Sequence, residues 1–303
     1  MRKMVSYVKN IRQRVAAVLS MNQRNLEYIY PNNKRVDFPI ADNKLLTKEY
    51  LTKAGVPHPE TYRVYEYFFD LRHLEDQLKQ LDEFVIKPAR GSGGGGIIVI
   101  ASRDDDYWYG VGGKAYSLGD IRRHLCDIIF GIYSFGIRDE AIVEQRIIQH
   151  KNIDEITADG LADVRIIIYQ HQPILAMMRL PTKESDGRAN LHQGAIGVGI
   201  DIETGITVHA TIKREFLDVH PDSSAYLLNR KIVHWSELVE MGKKISRDIP
   251  LKYLGIDIAV SDQGPKVLEI NVRPGIEIQN VNFKGMRQIL IASDDLAPRS
   301  NLI

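Results

Sequence analysis

The sequence is poor in cysteine and in long hydrophobic runs. Cys126 is the only cysteine among 303 residues, which excludes an internal disulfide and is typical of a reducing compartment. No apolar run approaches the roughly 20 residues that a membrane-spanning helix needs. No signal-peptide pattern is present either. We therefore expect a cytoplasmic protein without a transmembrane segment.

The chain also lacks an excess of either charge. Its formal net charge is +1, so bulk charge does not favour polyanion binding, and no stripe of basic and aromatic residues predicts a nucleic-acid partner. The hydrophobic share of 44% and the charged share of 26% are ordinary for a globular protein. A chain of this length can bury a substantial core in two or three subdomains, and we expect an enzyme. No pattern indicates its oligomeric state.

The first 20 residues depart from this balance. Met4, Val8, Ile11, Val15 and Val18 recur at helical spacing, and basic residues flank them without any acidic one. A basic amphipathic helix can lie on an anionic membrane surface, so peripheral membrane contact is one interpretation. A helix that packs on the protein's own core is the alternative we favour.

Near the C-terminus, the apolar runs 255–260 and 266–272 flank a polar turn and predict a β-hairpin. Period-2 alternation places Asp257 opposite Glu269, with Asn271 on the same face. Two carboxylates and an amide oxygen suit Mg²⁺, or Mn²⁺ in its place. Solvated acids on a half-exposed hairpin are the alternative, but unpaired charges inside apolar runs are costly.

A glycine-rich segment, residues 88–96, lies between the predicted strands 84–87 and 97–100. Its backbone N–H groups can cradle phosphate oxygens, and Lys87 would point at the same phosphates. No helix with Gly-Lys-Ser/Thr follows, which excludes a Walker A loop, and a dinucleotide-binding turn would also open a helix. A flexible hairpin tip is the alternative. A second polar segment, 181–199, is predicted to be either a mobile loop over a phosphate site or an inert surface loop.

Further elements follow from periodicity and capping signals. A helix begins at an Asp42 or Asn43 cap, and helices are predicted over 68–81 and 118–130. Another helix, 236–248, has Ser236 as its cap and a Glu240–Lys244 pair. The insertion 148–160 is predicted to be a polar loop. Additional strands are predicted at 60–64, 141–147, 161–170, 174–180, 198–202 and 205–211.

Taken together, these segments resemble the ATP-grasp superfamily over roughly residues 40–280. The motifs in order are DNKLLTKEYLTKAGVPHPET, FVIKPARGSGGGGI, AIVEQRI, DVRIII, RANLHQGA and LGIDIAV with VLEINVRPG. DVRIII and RANLHQGA most resemble the RimK group, which glutamylates ribosomal protein tails, and the related alpha-L-glutamate ligase-like proteins. VHPD followed by HWSEL is similar to the sugar-transfer-associated ATP-grasp proteins.

The resemblance implies an α+β fold in which two α/β subdomains with antiparallel sheets clasp ATP. Residues 1–40 would form an N-terminal basic helix and substrate-side segment, shorter than the N-terminal domain of the RimK group. The central helices and glycine-rich loop would lie in 41–147 and the metal site in 148–290. Residues 291–303 would be a C-terminal tail.

The resemblance also implies roles for individual residues. Asp257, Glu269 and Asn271 match metal ligands, while Arg165, Arg188 and Asn190 match positions that contact phosphate or a reaction intermediate. Nucleotide-binding positions are matched by Lys44, Lys87, Gly91, Ser92, Gly93, Gly94, Gly95, Glu144, Gln145, Arg146, Ile147 and Asp163.

Two departures from the RimK pattern affect these expectations. The insertion 148–160 leaves the ribose contact open among Asp154, Glu155 and Asp163. Arg273 stands where the RimK group has a small residue, and we expect it to bind phosphate or an acidic substrate as part of the catalytic set.

The implied activity is ATP- and Mg²⁺-dependent ligation of a carboxylate and an amine through an acyl phosphate. Glutamate or another amino acid would be added to a peptide or small acceptor. Positioning and electrostatics would supply most of the rate enhancement. His192 is a candidate base for the amine, although a loop histidine is more often only a hydrogen-bonding residue. A phosphotransferase and a non-catalytic nucleotide-binding protein remain alternatives.

Overall fold

The computed structural model describes residues 15–91 and 93–296. The greater part of the predicted basic helix, Ser92 of the glycine-rich loop and most of the predicted tail therefore lie outside the described residues. Within the predicted helix, residues 15–17 are helical. None of the described helices is both long and apolar enough to cross a membrane.

Six strands form the first sheet, and neighbouring strands run antiparallel in the order β1-β6-β2-β3-β4-β5. One long helix, α2 (Leu118–Ile129), buries Ile121 and Leu125 in the same core as Phe84 of the sheet. Ser117 caps this helix in a reciprocal capping box with Asp120. The strands are β1 Thr61–Tyr65, β2 Phe84–Pro88, β3 Ile98–Arg103, β4 Trp108–Gly110, β5 Ala115–Tyr116 and β6 Ala141–Glu144.

Seven strands form the second antiparallel sheet, in the order β11-β10-β9-β8-β7-β12-β13. Helix α3 (Trp235–Asp248) packs against it, and Leu238 and Ile245 are fully buried there with Ile256 of the sheet. These strands are β7 Asp163–Tyr169, β8 Gln172–Leu180, β9 Ile196–Ile200, β10 Thr207–Ile212, β11 Glu215–Phe216, β12 Tyr253–Ser261 and β13 Gly264–Asn271.

Two further long helices and several short ones complete the described fold. Helix α1 (Lys44–Lys53) begins at Asn43, whose side chain accepts from the N–H groups of Leu45 and Leu46 and confirms the predicted cap. Helix α4 spans Met286–Leu296. The short helical segments are Met21–Gln23, Arg24–Ile29, Tyr30–Asn32, Arg35–Asp37, Pro39–Asp42, Phe68–His73, Leu74–Leu78, Lys151–Asp154, Leu191–Gln193 and Glu277–Val281.

The hairpin formed by β12 and β13 has the register that its sequence predicts. Asp257 of β12 pairs with Glu269 of β13, and Gly255 pairs with Asn271. A bulge follows directly after Asp257. Because a one-residue slip would turn every side chain to the other face, this register decides which side of the sheet carries the acids.

Several local predictions were wrong. The helix over 68–81 is a 3-10 segment, Phe68–His73, followed by the short helix Leu74–Leu78. The insertion 148–160 contains a short helix, Lys151–Asp154. The strand predicted over 141–147 ends at Glu144, because the chain then leaves the sheet at Gln145, whose N–H binds Glu60 O at 2.8 Å.

The start of α3 also differs from its prediction. His234, with φ +57°, is the residue before the helix, and Ser236 lies inside its first turn. Glu240 pairs with Lys243 at 2.7 Å rather than with Lys244, whose Nζ donates to Gly55 O at 3.3 Å.

Candidate active site

Asp257 lies at the centre of a buried cluster on the second sheet. The pairing of β12 with β7 places Arg165 beside it, and the side chain of Asp257 is only 3% exposed. Arg165 donates from Nε to Oδ1 at 2.7 Å and from Nη2 to Oδ2 at 2.6 Å, a bidentate pair. Asn271 donates from Nδ2 to Oδ2 at 3.2 Å. The structure thus brings together four residues that the sequence predicts for the site, with Glu269 paired opposite Asp257.

Arg179 is a member of this cluster that sequence reasoning missed. It lies on β8 opposite Asp163 of β7 and donates to that carboxylate from Nε and Nη2, both at 2.7 Å. The same Nη2 donates to Asp257 Oδ2 at 2.8 Å. Arg179 therefore holds two acids on adjacent strands. Its position at the end of the apolar run 174–180 was the available signal.

Burial and the two guanidinium groups together set the charge states of these acids. Burial alone would raise the pKa of Asp257, but Arg165 and Arg179 outweigh it and lower that pKa to about 2. Burial raises the pKa of Asp163 to about 6, against the opposite effect of Arg179. Burial would lower the pKa of Arg179, yet the two aspartates raise it. Asp257 is consequently ionised across the ordinary pH range.

The oxygen atoms of the hairpin fit a divalent cation. Asp257 Oδ1 accepts one of the hydrogen bonds and Oδ2 the others, so Oδ1 retains capacity for a cation. Among the described residues, Glu269 has no ion-pair partner. No group of three His, Cys, Asp or Glu residues in that part of the chain is arranged to hold a metal. The candidate set of Asp257, Glu269 and Asn271 contains two acids and an amide, which are hard ligands of the Mg²⁺ type.

A second buried cluster, on the first sheet, contains lysine in place of arginine. Glu144, at the end of β6, lies 2.5 Å from Lys87 Nζ of β2 and 2.6 Å from Lys48 Nζ of α1. Lys48 also donates to Pro59 O at 2.8 Å and to Thr61 Oγ1 at 2.7 Å. Sequence reasoning missed Lys48, although it lies one helical turn after Lys44 and therefore on the same face of α1.

The glycine-rich loop joins this lysine cluster through Lys44. Its Nζ donates to Gly91 O at 2.7 Å. Burial lowers the pKa of Lys44, and the charge of Glu269 acts in the opposite direction. Gly93, Gly94 and Gly95 lie in the turn that follows.

Gly96 ends this turn in a conformation that only glycine can adopt there. Its φ is +75°, and a Cβ would lie 2.6 Å from the ring of Tyr133. His124 further fixes the position, since its Nε2 is 2.8 Å from Gly96 O. Sequence order alone did not indicate that Tyr133 and His124 support the loop.

The polar loop 181–195 contacts the glycine-rich loop. Asn190 accepts from His192 N–H at 3.0 Å, which fixes its side chain, and donates to Gly93 O at 3.4 Å. A Cβ at Gly94 would lie 3.5 Å from Arg188 Cδ. Arg188 is exposed and its guanidinium is 3.7 Å from Asp186. The two predicted loops therefore face each other, with an exposed arginine between them.

The family model described as sugar-transfer associated ATP-grasp matches residues 23–294. The chain belongs to this family. The predicted ATP-grasp fold, with two antiparallel sheets and packed helices, is confirmed. The predicted similarity to the sugar-transfer-associated proteins is also confirmed, whereas the closer placement beside the RimK group stays a prediction. No curated protein matches the sequence.

Solved ATP-grasp structures are similar at low identity. The ATP-grasp ligase PsnB with its minimal precursor has 14% identity and TM-score 0.43, over 87% of this chain and 63% of that one. D-alanine–D-alanine ligase from Bacillus anthracis has 13% identity and TM-score 0.45, over 84% and 63%. A RimK domain protein from Sphaerobacter thermophilus has 13% identity and TM-score 0.44, over 82% and 67%. The chain thus spans about 63% of the length of the first two.

Residues 144–147 match the interdomain hinge that holds adenine in the resemblance to ATP-grasp proteins. We call this segment the hinge; it begins at the end of β6 of the first sheet and contacts β13 of the second. Gln145 Oε1 accepts from Lys266 Nζ of β13 at 2.7 Å, which links the hinge to the β12–β13 hairpin. Arg146 pairs instead with Glu83 at 2.9 Å, and Ile147 is half-buried. The nucleotide contacts of these residues and of Asp163 stay predictions.

Arg273 contacts the segment that precedes α1. Its guanidinium is 3.9 Å from Asp42 Oδ2 and 5.3 Å from the ring centroid of Phe38. It is half exposed, and its contacts tie the end of the hairpin to the segment that precedes α1. The predicted binding of phosphate or substrate by Arg273 stays a prediction.

Proposed function

We propose that the protein is an ATP- and Mg²⁺-dependent carboxylate–amine ligase that works through an acyl phosphate. The observation that carries this proposal is the division of charge between the two clusters. On the glycine-loop side, Lys48 and Lys87 pair with Glu144, and Lys44 binds Gly91 O nearby. On the hairpin side, two arginines pair with Asp257 and Asp163. Glu269, opposite Asp257, adds a carboxylate that has no ion-pair partner among the described residues. The first is suited to phosphate and the second to a cation.

The lysine side would bind the polyphosphate. Lys44 and Lys87 supply positive charge at the base of the glycine-rich loop, and the loop's backbone N–H groups can approach phosphate oxygens because no side chains intervene. Glu144 holds Lys87 in place, so little ordering is needed when the nucleotide arrives.

The hairpin side would hold Mg²⁺ through Asp257, Glu269 and Asn271. When bound there, Mg²⁺ supplies neutralising charge at the transferring phosphoryl group. Arg165 is held by Asp257 in a fixed orientation, and Arg188 is exposed beside the glycine-rich loop. In the proposed reaction, both guanidiniums would stabilise oxygen atoms that gain charge.

In the proposed reaction, a substrate carboxylate oxygen attacks the γ-phosphorus and ADP leaves. The amine nitrogen then attacks the acyl carbon, the bond to phosphate oxygen breaks, and the amine loses a proton. His192 is exposed next to Asn190 and remains a candidate for that proton. Glutamate or another amino acid as the acid, and a peptide or small molecule as the acceptor, remain the predicted substrates.

The test is a screen of amino acids and peptides for ADP release, with mass spectrometry of the product. Ligation predicts turnover that needs both an acid and an amine, and a product joined with loss of water. Glu269→Gln should abolish it, whereas Asp262→Asn, at the exposed turn of the same hairpin, should not. Phosphate transferred to a single substrate would instead identify a phosphotransferase, and an absence of acceptor-dependent turnover would contradict the proposal.

A further inference from the structure

A group of exposed apolar side chains lies on the 3-10 segment Phe68–His73 and on the turn 130–137, whose Tyr133 packs beside Gly96 of the glycine-rich loop. We call it the aromatic surface; its members are Phe68, Phe69, Phe130, Ile132, Phe135 and Ile137, which are 51–90% exposed. The rings of Phe68 and Phe130 are 5.0 Å apart. At the other end of the turn, Arg138 donates to Glu66 O at 3.2 Å. Both ends of the 130–138 segment thus contact residues 66–68, so the two segments that carry these exposed apolar side chains lie side by side.

Phe135 contributes nothing evident to the fold. It is 90% exposed, at φ +56°, a left-handed conformation that is unfavourable for a bulky side chain. A strained and exposed aromatic residue at the tip of a turn points to a contact outside the chain. The same turn carries Tyr133, which packs beside Gly96 of the glycine-rich loop.

Cations border the aromatic surface. The guanidinium of Arg72 lies 3.9 Å from the ring centroid of Phe69, and that of Arg138 lies 4.3 Å from the centroid of Tyr67. A cavity of about 280 Å³ opens beside Phe69, and its lining includes Arg63, Arg72 and His73. Asp70 also lines it, but this carboxylate already accepts from the N–H groups of Glu66 and Tyr67 at 2.9 and 2.8 Å.

We propose that the aromatic surface docks on a membrane that contains anionic phospholipid. Phe135, Ile132 and Ile137 would enter the boundary between headgroups and acyl chains, where aromatic and aliphatic side chains on projecting turns are favoured. Arg72 and Arg63 would bind a lipid phosphate at the cavity. Exposed apolar side chains next to the guanidiniums of Arg63 and Arg72 complement a bilayer, which is apolar inside and negatively charged at its surface.

The test is co-sedimentation of the full chain with vesicles of phosphatidylcholine, with and without roughly 30% phosphatidylglycerol. Binding should require the anionic lipid and weaken with salt. Phe135→Asn should weaken it about tenfold through loss of one buried aromatic side chain. Arg72→Gln should weaken it about fivefold through loss of one cation at the surface. Because asparagine tolerates a left-handed backbone, Phe135→Asn should leave thermal stability unchanged or raised.

The matched control is Phe216→Ser, which removes an exposed phenylalanine from the edge strand β11 of the other sheet and should bind vesicles like the wild type. Equal binding by wild type and Phe135→Asn would overturn the proposal and assign any membrane contact to another segment. No binding to either vesicle would also overturn it. Self-association that Phe135→Asn abolishes, without vesicle binding, would identify a second copy of the chain as the occupant.

Discussion

The two buried charge clusters hold their acids in different ways. On the second sheet, Arg165 binds Asp257 and Arg179 binds Asp163, each through two hydrogen bonds from a planar guanidinium. These contacts join three adjacent strands. On the first sheet, Lys48 and Lys87 each approach one oxygen of Glu144 as a point charge. Guanidinium forks fix geometry, whereas ammonium groups supply charge with less directional constraint.

This difference fits the two halves of the proposed site. A metal needs its ligands in fixed positions, and the arginine cluster with Glu269 has more carboxylates than cations. A polyphosphate needs positive charge, and the lysine cluster has a surplus of it. If the comparison is right, substitutions on the hairpin should damage structure and metal binding, while those on the loop side should damage nucleotide binding.

The largest expected effect is that of Asp257→Asn. Removing this charge leaves Arg165 buried without a carboxylate partner and takes from Arg179 one of its two acids. This loss should cost about 3–5 kcal/mol of the free energy of unfolding. Urea unfolding measures this cost. Asp262→Asn, on the exposed turn of the same hairpin, should stay within about 0.5 kcal/mol of the wild type. A similarly small loss of stability in both variants would contradict the proposed role of Asp257 in the arginine cluster.

Gly96→Ala tests the loop side. Its Cβ would meet the Tyr133 ring, and its positive φ disfavours alanine, so we expect a loss of about 2–3 kcal/mol and weaker nucleotide binding. Gly136→Ala is the control, since Gly136 has a similar φ of +77° but nothing within 4 Å of its Cβ position. It should cost only about 1 kcal/mol and leave nucleotide binding unchanged. Equal losses would mean that Tyr133 does not constrain the loop.

Arg179→Lys tests whether fork geometry matters beyond charge. A lysine cannot hold Asp163 and Asp257 together, so the loss of charged hydrogen bonds should cost about 2 kcal/mol by thermal or urea unfolding. The exposed Arg188→Lys should change stability by less than about 0.5 kcal/mol. Retention of full stability in Arg179→Lys would show that positive charge alone suffices.

The pH dependence of stability should reflect the low pKa of Asp257. Its folded-state pKa of about 2 lies below the ordinary value of 3.8, so its stabilisation is present above 3.8 and is lost as pH falls through 2. The shift corresponds to about 2 kcal/mol. The difference in stability between wild type and Asp257→Asn should therefore shrink by about 2 kcal/mol between about pH 4 and pH 2. A difference that stays constant across this range would contradict the ionised pair.

The sequence predicts the parts of the site that depend on local pattern. The register of Asp257 with Glu269 follows from alternation about a short turn, and the Asn43 cap follows from residue type next to a helical pattern. Arg179 and Lys48 were missed because their roles depend on which elements become neighbours in the fold. Alternation places Arg179 on a strand face but does not identify the acids across from it.

The local errors have physical causes as well. A helix over 68–81 fits the apolar period, but Asp70 accepts from the N–H groups of Glu66 and Tyr67, and the chain begins as a 3-10 segment. Ser236 is a good capping residue, yet the left-handed conformation of His234 starts α3 earlier. In both places, a side-chain contact or backbone conformation outweighs the preference of a residue type.

The most direct test of the division between the clusters is calorimetric titration of a non-hydrolysable ATP analogue with and without Mg²⁺. Glu269→Gln should bind the analogue without Mg²⁺ as tightly as the wild type does. It should lose the increase in affinity that Mg²⁺ gives the wild type. Lys87→Met should weaken binding in both conditions by a similar factor. If Glu269→Gln retains the full Mg²⁺-dependent increase in affinity, the hairpin does not hold the metal, and the proposed division between the two clusters is contradicted.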